Sequence, residues 1–338
     1  MYSLLRPYLF SLEAEKAHHL TLKFLNLLHK GGFARAYFGA PVFDPHTVFG
    51  IHFPNRIGLA AGLDKNADYI DALGALGFGF LEVGTITPRP QIGNPTPRLF
   101  RAEKQHALLN RMGFNNLGVE HLANKIRARK YKGVLGVNIG KNAATPLENA
   151  LDDYVFCLDA VYADCDYITV NVSSPNTLGL RDLQFGDNLQ RLLEGLKNRQ
   201  KKLCNQHRKY KPMLVKIAPD LADNDISDIA HIFLNLEIDG VIATNTTVEK
   251  SALAGTLLEN EAGGMSGAPL FEKSTDILKK ITQALGGKIP VIGVGGIENG
   301  TQAKEKIAAG ASLVQLYSGL IYQGPKLVRE CAHSLACL

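Results

Sequence analysis

The chain has 338 residues, of which 46% are hydrophobic and 20% are charged, and its 37 Lys and Arg against 32 Asp and Glu give a formal net charge of +5. This ordinary globular composition excludes wholesale disorder. The small positive excess is spread along the chain, which argues against a nucleic-acid-binding protein and is compatible with binding of anionic small molecules or a lipid surface.

The sequence also lacks the features of a secreted or membrane-spanning protein. No uninterrupted apolar run approaches the roughly 20 residues that a membrane-spanning helix needs, and no signal-peptide pattern opens the chain. The five cysteines include no C-x-x-C pair, which favours reduced thiols over a disulfide framework. We therefore expect a soluble or peripheral protein.

The first forty residues predict two short amphipathic helices before any strand. Ser11 is the predicted N-cap of the second helix, with Glu13 and Glu15 in its first turn, and Gly31-Gly32 is its predicted end. The apolar residues that crowd the opening or recur at helical spacing are Tyr2, Leu4, Leu5, Tyr8, Leu9, Phe10, Leu20, Phe24, Leu27 and Leu28. Two interpretations stay open: a cap over the main core, or an apolar flap that touches a membrane or admits an apolar ligand.

From about residue 45 the pattern changes to eight short apolar runs that alternate with helix-forming stretches. The runs are 57–61, 80–83, 134–139, 167–172, 213–217, 240–243, 290–294 and 313–317, and the helical stretches include 71–76, 188–203, 274–285 and 301–309. The runs lack polar alternation, as expected for a parallel sheet buried on both faces. The pattern predicts an α/β fold, a (β/α)8 TIM barrel with an N-terminal two-helix extension, rather than a doubly wound sheet. The gaps after the second, fourth and sixth runs are the longest, so we expect inserted elements there.

Polar side chains collect where these runs end. The active site of such a barrel lies at the carboxyl ends of its strands, and the segments there are rich in amides, hydroxyls, lysines and glycines: 60–65, 82–85, 138–142, 171–177, 216–219, 244–247, 293–296 and 317–319. A structural barrel has no reason to bring many carboxamides to one rim, so we predict a polar ligand site, although some asparagines can be helix caps. The Gly-rich turns 295–296 and 317–319 stand where such barrels bind phosphate, or are simply tight turns.

The rim offers two lysines but neither a metal-binding cluster nor a nucleotide fingerprint. An organic cofactor that carries a phosphate is therefore the leading hypothesis. Lys216 interrupts an apolar run, and a buried ammonium needs an anionic or strongly polar partner. That partner is either a reduced flavin or a carboxylate inside the barrel. Lys65 follows Asp64 at a strand end, where it either holds a substrate carboxylate or lies at the surface.

Taken together, the strand ends resemble those of dihydroorotate dehydrogenases. The similar segments are long motifs that run almost from end to end of the chain: 59–65, 82–90, 110–116, 138–142, 171–177, 216–220, 243–247 and 292–297. The amphipathic start resembles class 2 of that family, which is membrane-associated and reduces quinones. The cytosolic classes lack the extension and carry a cysteine base. Here the corresponding loop offers Ser174, and no cysteine lies near it in the sequence.

The resemblance implies an FMN-dependent oxidation of (S)-dihydroorotate to orotate in de novo pyrimidine biosynthesis, with a quinone as electron acceptor. It makes Ser174 the base that removes the C5 proton while C6 gives hydride to flavin N5, with Thr177 as a hydroxyl relay and Phe114 as an apolar wall. The implied substrate-binding residues are Lys65, Asn110, Arg111, Met112, Gly113, Phe114, Asn171, Asn176, Asn245 and Thr246. The implied binding residues for one FMN per chain are Ala61, Gly62, Leu63, Asp64, Lys65, Thr85, Asn138, Asn171, Lys216, Thr244, Gly267, Gly296, Tyr317 and Ser318. No metal is implied.

These residue types suit that chemistry. Carboxamides offer both a donor and an acceptor to the alternating N–H and C=O edges of orotate, and Lys65 offers a cation to its carboxylate. Serine is a poor base at neutral pH, so Ser174 needs neighbours and an exit for the proton. Two alternative interpretations stay open. Ser174, which precedes Pro175, would be only a turn residue, and Thr177 would be only a helix cap.

The resemblance also gives the N-terminal segment a role. Ubiquinone and menaquinone are apolar, so residues 1–40 are expected to form the mouth of an access tunnel at a membrane surface, and residues 41–338 the FMN-binding barrel. By family analogy His18 and Arg101 lie near the quinone, although His18 is equally well placed as a surface residue. We expect a bacterial monomer, attached peripherally to the cytoplasmic side of the inner membrane, with no nucleic-acid partner.

Two other functions fit parts of the pattern. An FMN barrel that reduces uracil in tRNA would need a basic RNA-binding extension, and a net charge of +5 without Lys or Arg clusters does not supply one. A phosphate-binding scaffold barrel without catalysis is the non-enzymatic alternative. A yellow protein whose flavin bleaches with dihydroorotate would distinguish the dehydrogenase from both.

Overall fold

Two helices precede the strands in the structure, a computed structural model that describes residues 2–33 and 38–338. They are α1 (Tyr2–Ser11) and α2 (Ala14–Lys30). Residue 1 and residues 34–37 of the predicted 1–40 segment lie outside the described residues.

The cap of α2 differs from the prediction. Ser11 is not the N-cap: it belongs to α1, and its hydroxyl donates back to the Tyr8 carbonyl at 2.8 Å. The cap is Glu13, whose two carboxylate oxygens accept the N–H groups of Glu15 and Lys16 at 2.9 Å each. One carboxylate thus satisfies two free N–H groups of the first turn, one with each oxygen, and Glu13 sets the start of the helix.

Eight parallel strands close into a barrel, which confirms the predicted fold. The strands in chain order are β1 (His46–Val48), β2 (Ile51–Phe53), β3 (Ile57–Leu59), β4 (Phe80–Ile86), β5 (Leu99–Ala102), β6 (Ala107–Asn110), β7 (Val134–Ile139), β8 (Tyr167–Asn171), β9 (Met213–Ile217), β10 (Gly240–Ala243), β11 (Gly264–Gly267), β12 (Val291–Val294) and β13 (Ala311–Leu316). The ring runs β3, β4, β7, β8, β9, β10, β12, β13 and back to β3. Each of the eight apolar runs is a barrel strand, with small shifts at the ends.

The helices follow the barrel strands as the alternating pattern predicts. They are α3 (Ile70–Gly74), α4 (Val119–Ala128), α5 (Ala150–Val161), α6 (Gly186–His207), α7 (Asp223–Asn235), α8 (Phe271–Ala284), α9 (Gly300–Ala308), α10 (Ser318–Gln323) and α11 (Lys326–Ala336). The apolar faces of these helices and the outer faces of the strands share one large core. This burial on both sides explains why the strands read as continuous apolar runs.

A second core fills the inside of the barrel at the amino-terminal ends of its strands. The short hairpin of β1 and β2 contributes Val48 and Phe53 to this core. Phe53 meets Phe80 edge to face at 5.2 Å between ring centroids, and Phe80 meets Tyr167 at 6.5 Å. The bottom of the barrel is therefore packed with side chains, and the open space lies at the opposite end.

The long connections carry inserted elements, as the gap lengths predict. Strands β5 and β6 follow the second barrel strand, and β11 follows the sixth; together they form a small antiparallel sheet of order β11–β6–β5. A 3-10 helix (Leu180–Gln184) and the long helix α6 follow the fourth barrel strand. The small sheet overhangs the carboxyl end of the barrel and contributes to its cavity.

Helices α1 and α2 attach to this small sheet and to α10 through polar anchors. The Tyr2 hydroxyl donates to the Ile321 carbonyl, and Arg6 donates to the Tyr322 carbonyl at 3.0 Å. Phe10 meets Tyr322 edge to face at 5.5 Å. Within the described residues, no helix is both long and apolar enough to cross a bilayer.

Candidate active site

A cavity opens at the carboxyl ends of the barrel strands, and most of the predicted site residues line it. They are Ala61, Gly62, Lys65, Thr85, Asn110, Met112, Gly113, Phe114, Asn171, Ser174, Asn176, Lys216, Thr244, Asn245, Thr246, Gly267, Gly296, Tyr317 and Ser318. These residues are scattered over the sequence, and closure of the barrel brings its strand ends to one rim. The structure thus brings the predicted site residues together around one cavity, and binding of a polar ligand there stays a prediction.

Asparagine side chains on the cavity wall are held in two hydrogen-bonded pairs. Asn176 Nδ2 donates to Asn110 Oδ1 at 3.0 Å, which joins the loop after β8 to the end of β6. Asn245 Nδ2 lies 3.5 Å from Asn171 Oδ1, which joins the ends of β10 and β8. Each carboxamide carries two donor hydrogens and an acceptor oxygen with two lone pairs. Both Nδ2 hydrogens of Asn171 are already donated, to Thr85 Oγ1 at 2.9 Å and Asn138 Oδ1 at 3.2 Å. The pairs are therefore pre-oriented, and the Asn110–Asn176 pair retains the capacity to bind a flat ring that presents N–H and C=O groups.

Ser174 lies buried on the wall in the loop after β8. Its Oγ accepts the N–H of Asn176 at 3.2 Å, and its own proton has no acceptor among the described residues. Three positions further on, Thr177 has a buried Oγ1 with no hydrogen-bond partner in that part of the chain. Phe114, buried at a φ of 53°, lines the cavity with Ser174. A hydroxyl with a free proton and an apolar ring thus line the cavity, and the loop of Ser174 carries a second, unpartnered hydroxyl.

The loop that carries Ser174 is braced from behind by an arginine. Arg181 Nε donates to the Ser173 carbonyl at 3.1 Å, and Nη2 donates to the Thr246 carbonyl at 2.9 Å. Its Nη1 lies 3.0 Å from the carboxylate of Asp220. Asp220 also accepts from Lys273 Nζ at 2.7 Å. Burial alone would raise the pKa of Asp220, but its hydrogen bonds hold that pKa below its usual range. The Asp220 carboxylate is therefore ionised at neutral pH.

A carboxylate lies beneath the floor of the cavity. Glu82 is completely buried, and it accepts hydrogen bonds from Asn138 Nδ2 at 2.8 Å, Tyr167 OH at 3.0 Å and Gln315 Nε2 at 2.9 Å. Three donors satisfy this carboxylate within the barrel.

Lys216 lines the same floor without a partner of its own. Only 6% of Lys216 is exposed, and it forms no hydrogen bond or ion pair with any described residue. Burial lowers the pKa of Lys216, and the more distant charge of Glu82 acts in the opposite direction. No carboxylate of the described residues lies within ion-pair distance of Lys216, and Glu82 is the carboxylate inside the barrel whose charge acts on it. The buried ammonium therefore requires an anionic or polar partner, which a ligand in the cavity would supply.

Lys65 lines the cavity close to the N-terminal helix α2. Burial lowers the pKa of Lys65 to about 8, while the charge of Glu15 raises it and that of Arg98 lowers it. Glu15 and Arg98 form an ion pair at 2.7 Å. Lys65 itself has no hydrogen bond or ion pair with the described residues, so its ammonium is available to an anion in the cavity.

The far end of the cavity is formed by glycine-rich turns. Gly296 has a φ of +74°, and a Cβ there would lie 2.6 Å from the backbone of Phe271, so only glycine fits. Gly267 has a φ of +102° and follows Ser266, whose hydroxyl lies 2.8 Å from that of Ser318. Among the described residues, no acceptor is found for the backbone N–H groups of Gly295, Gly296, Ser318 and Gly319. Unpaired N–H groups around one space suit an anionic group.

Four predicted residues lie in or behind the rim but not on the cavity wall. Leu63 packs in the large core, and Asp64 accepts the N–H groups of Asp68 at 3.0 Å and Tyr69 at 2.8 Å. Burial raises the pKa of Asp64 to about 6. The other two are buried: Asn138 accepts hydrogen bonds from Thr85 and Asn171 of the wall, and Thr177 lies in the loop after β8. The role of these four residues towards a ligand stays a prediction.

Three further predicted residues lie away from the cavity wall. The Arg111 guanidinium pairs with Glu261 and lies over the Phe100 ring at 4.7 Å. Arg101 donates to the carbonyls of Leu9, Phe10 and Leu12, and so holds the junction of α1 and α2. His18 is half-buried on α2, where burial and the charge of Lys65 lower its pKa to about 3. Their direct contact with a ligand stays a prediction.

Several polar residues around the cavity were not predicted from the sequence. Glu82 and Gln315 interrupt apolar runs just as Lys216 does, so that signal was available for them. Gln315 lines the cavity, and its Oε1 is buried without a partner among the described residues. Arg181 and Asp220 carry no such signal, because both lie in polar loops and become functional only through their tertiary contacts.

Sequence comparisons identify the proteins to which this chain is similar. Residues 45–338 match the sequence model of a family described as dihydroorotate dehydrogenase. A dihydroorotate dehydrogenase (quinone) of Chromobacterium violaceum is 58% identical over 336 residues, which cover 99% of this chain and 98% of that protein. Another, of Neisseria meningitidis serogroup C, is 56% identical over 336 residues, which cover 99% of this chain and 100% of that protein. The similarity includes the N-terminal helices as well as the barrel.

Solved structures show the same relationship in three dimensions. The complex of a dihydroorotate dehydrogenase from Eimeria tenella with ferulenol superposes with a TM-score of 0.84 at 37% identity, and covers 95% of this chain and 90% of that one. The ligand-free Eimeria tenella structure gives a TM-score of 0.85 at 38% identity, with 94% and 93% covered. The fold is therefore shared along almost the whole chain.

Proposed function

The chain belongs to the dihydroorotate dehydrogenase family, in its quinone-dependent class, and on that premise we propose how its residues oxidise (S)-dihydroorotate to orotate with the help of FMN. The enzyme is an oxidoreductase of pyrimidine biosynthesis. The observation that carries the proposal is the convergence of Ser174, Lys65 and two asparagine pairs on the cavity that also holds the unpaired ammonium of Lys216.

The residues present fit one FMN per chain. The buried Lys216 ammonium and the buried Gln315 Oε1 have no partner among the described residues, and both line the cavity. They would hold the polar edge of the flavin ring, together with the rim residues Ala61, Gly62, Thr85, Asn171 and Thr244. The unpaired N–H groups around Gly296 and Ser318 would hold the phosphate, with Gly267 and Tyr317 beside them. When bound, FMN supplies the acceptor for the hydride from substrate C6 and the route of the electrons to the quinone.

Lys65 and the asparagine pairs would hold the substrate. The ammonium of Lys65 binds the carboxylate of dihydroorotate, because it is the unpaired cation on that part of the wall. Asn110, Asn171, Asn176 and Asn245 then match the N–H and C=O edges of the ring, with Thr246 beside them. Segment 111–114 closes over the ring: Met112, Gly113 and Phe114 line the cavity, and the Arg111–Glu261 pair anchors the segment.

Ser174 would remove the proton from C5 of the substrate. Its Oγ accepts from the Asn176 N–H and its own proton is unpaired, so the hydroxyl is free to turn towards the cavity. Thr177, three residues further along the same loop, has a buried Oγ1 without a partner among the described residues, and we assign to it the role of receiving and passing on that proton. Phe114 excludes water from the reacting carbon, which strengthens the polar contacts around it.

The N-terminal segment would bring the quinone from a membrane. Large apolar side chains stand in solvent on α1 and α2, among them Leu4, which is 80% exposed, and Leu27, which is 68% exposed. No residue of α1 is buried. We assign residues 1–40 to membrane contact and access of ubiquinone or menaquinone, with His18 and Arg101 on the path, and residues 41–338 to the catalytic barrel. The protein would act as a monomer at the cytoplasmic face of the bacterial inner membrane.

The spectrum of the full-length protein tests the proposal. We expect flavin absorbance bands that bleach when dihydroorotate is added without oxygen and return when a quinone is added. Dihydrouracil, which lacks the carboxylate that Lys65 recognises, is the control and should leave the bands unchanged. A colourless protein that does not take up FMN, or flavin that dihydroorotate does not reduce, would contradict the proposal.

A further inference from the structure

A second buried lysine lies outside the cavity and has no role in the mechanism above. Lys306 on α9 is 0% exposed, and its Nζ donates to Ser274 Oγ at 2.6 Å. The Nζ also lies 5.0 Å from the centre of the Phe271 ring. Glu272 and Glu305 act on it only at longer range, since no described carboxylate lies within ion-pair distance. Burial of an ammonium without a carboxylate partner is costly, and a nearby anion would offset that cost.

The hydrogen bonds of Lys306 lead towards the cavity. Ser274 Oγ accepts from Lys306, and the serine's own proton has two carbonyl acceptors in reach, Phe271 O at 3.0 Å and Gly295 O at 3.2 Å. The side chain of Ser274 also packs against the Gly295 turn, because a Cβ on Gly295 would lie 2.6 Å from Ser274 Oγ. The cation therefore lies directly behind the turn whose other side faces the cavity.

We propose that Lys306 is a buried positioning cation that makes the cavity select a flavin with a phosphate over the same flavin without one. It acts through Ser274 on the peptide between Gly295 and Gly296. This inference rests on the proposed FMN site and adds the residues that recognise the negative charge of the cofactor's phosphate.

Two physical effects work in the same direction. A hydrogen bond donated to the Gly295 carbonyl polarises the peptide group, so the N–H of Gly296 on the cavity side becomes a stronger donor to an anion. The charge of Lys306 also acts through a dry protein interior, where charges are screened far less than in water. Without an anion nearby, burial lowers the pKa of Lys306 to about 7, and a phosphate at the turn would stabilise its protonated form.

Competition between two flavins on the full-length protein tests the inference. Wild type, Lys306→Met, Lys306→Arg and Ser274→Ala are each equilibrated with mixtures of FMN and riboflavin, and the bound flavins are quantified by chromatography. Lys306→Met should lower the preference for FMN over riboflavin by roughly tenfold through loss of the charge, without weakening riboflavin. Lys306→Arg should restore most of the preference. Lys304→Met, which removes a lysine from the same helix away from the turn, is the matched control and should behave as wild type.

Ser274→Ala keeps the test decisive if Lys306→Met does not fold. It removes only the bridging oxygen, and the preference for FMN should fall on the order of threefold. An unchanged preference in Ser274→Ala, or equal weakening of both flavins in Lys306→Met, would overturn the inference and leave the proposed function intact. A wild-type protein that binds neither flavin would contradict the proposed function, and the inference would fall with it.

Discussion

Glu15 of helix α2 holds the Arg98 guanidinium with both carboxylate oxygens, at 2.7 Å from Nη2 and 3.1 Å from Nε. Arg98 also donates to the carbonyls of Ile92 at 2.6 Å and Asn94 at 3.0 Å, in the loop that borders the small sheet. The charge of Glu15 in turn favours the protonated form of Lys65. The N-terminal segment is therefore tied, both by geometry and by electrostatics, to the lysine proposed to bind the substrate.

The first prediction concerns the pH dependence of substrate capture. Burial lowers the pKa of Lys65 to about 8, and only its protonated form binds a carboxylate well. As pH rises through that pKa the positive charge is lost, so kcat/KM for dihydroorotate should fall about tenfold per pH unit above it. Steady-state kinetics between pH 6 and about pH 10 measure this alkaline decline of kcat/KM.

Glu15→Gln should move the alkaline decline of kcat/KM to lower pH. The substitution removes the negative charge that raises the pKa of Lys65 and leaves the positive charge of Arg98 uncompensated, so both effects lower the pKa. Glu103→Gln removes an equal charge from an exposed turn and is the control. If kcat/KM declines at the same pH in Glu15→Gln as in the wild type, Glu15 does not affect the protonation of Lys65.

The second prediction separates proton removal from cofactor binding. Ser174→Ala should keep its flavin, because the residue lies on the substrate side of the cavity, and should lower the rate of flavin reduction by about 10²- to 10⁴-fold. Stopped-flow absorbance with dihydroorotate measures that rate, and the control is Ser251→Ala, at an exposed residue of a short 3-10 helix (Ser251–Leu253) that does not line the cavity. Reduction at the wild-type rate in Ser174→Ala would transfer the role of base to another group.

The third prediction concerns the brace behind the Ser174 loop. Arg181→Lys cannot span Ser173, Thr246 and Asp220 at once, so the loop should lose its position. We expect kcat to fall roughly tenfold with little change in flavin content, since the brace acts on geometry. The control Arg199→Lys, in an outer ion pair with Asp159, should leave kcat unchanged. A selective rise in KM, with kcat intact, would show that the brace serves binding rather than positioning.

The fourth prediction tests the apolar surface of α2. Leu20, Phe24 and Leu27 are exposed, so the triple substitution to serine leaves the packing of the barrel intact, whereas deletion of residues 1–40 would also remove Glu15 from Arg98. The triple variant should bind lipid vesicles at least about tenfold more weakly. Its reduction of a long-chain quinone in vesicles should slow, while reduction of a soluble dye should not.

A variant with the same number of exposed apolar residues removed from the barrel is the matched control. Phe43, Phe156 and Leu257 meet that condition, and their substitution to serine should leave vesicle binding unchanged. If both triple variants lose vesicle binding equally, the contact with lipid is not specific to α2.

The sequence by itself determined the barrel and most of its cavity wall. Buried parallel strands need apolar residues on both faces, so each barrel strand appears as a continuous run, and a polar residue such as Lys216 or Asn171 stands out at its end. This pattern depends only on residues that are close together in the sequence, so it can be recognised without the tertiary structure. The long motifs that resemble the family implied roles for those residues, which stay predictions.

Only the tertiary structure decided which polar groups meet. Gln315 donates to Glu82 across a separation of 233 residues, and Lys306 reaches the turn at Gly295 through Ser274 of another helix. Even the local cap at Glu13 depended on how α1 ended. Hydrogen bonds and charges act over a few ångströms in space, and closure of the barrel, rather than neighbourhood in the chain, brings their partners within that range.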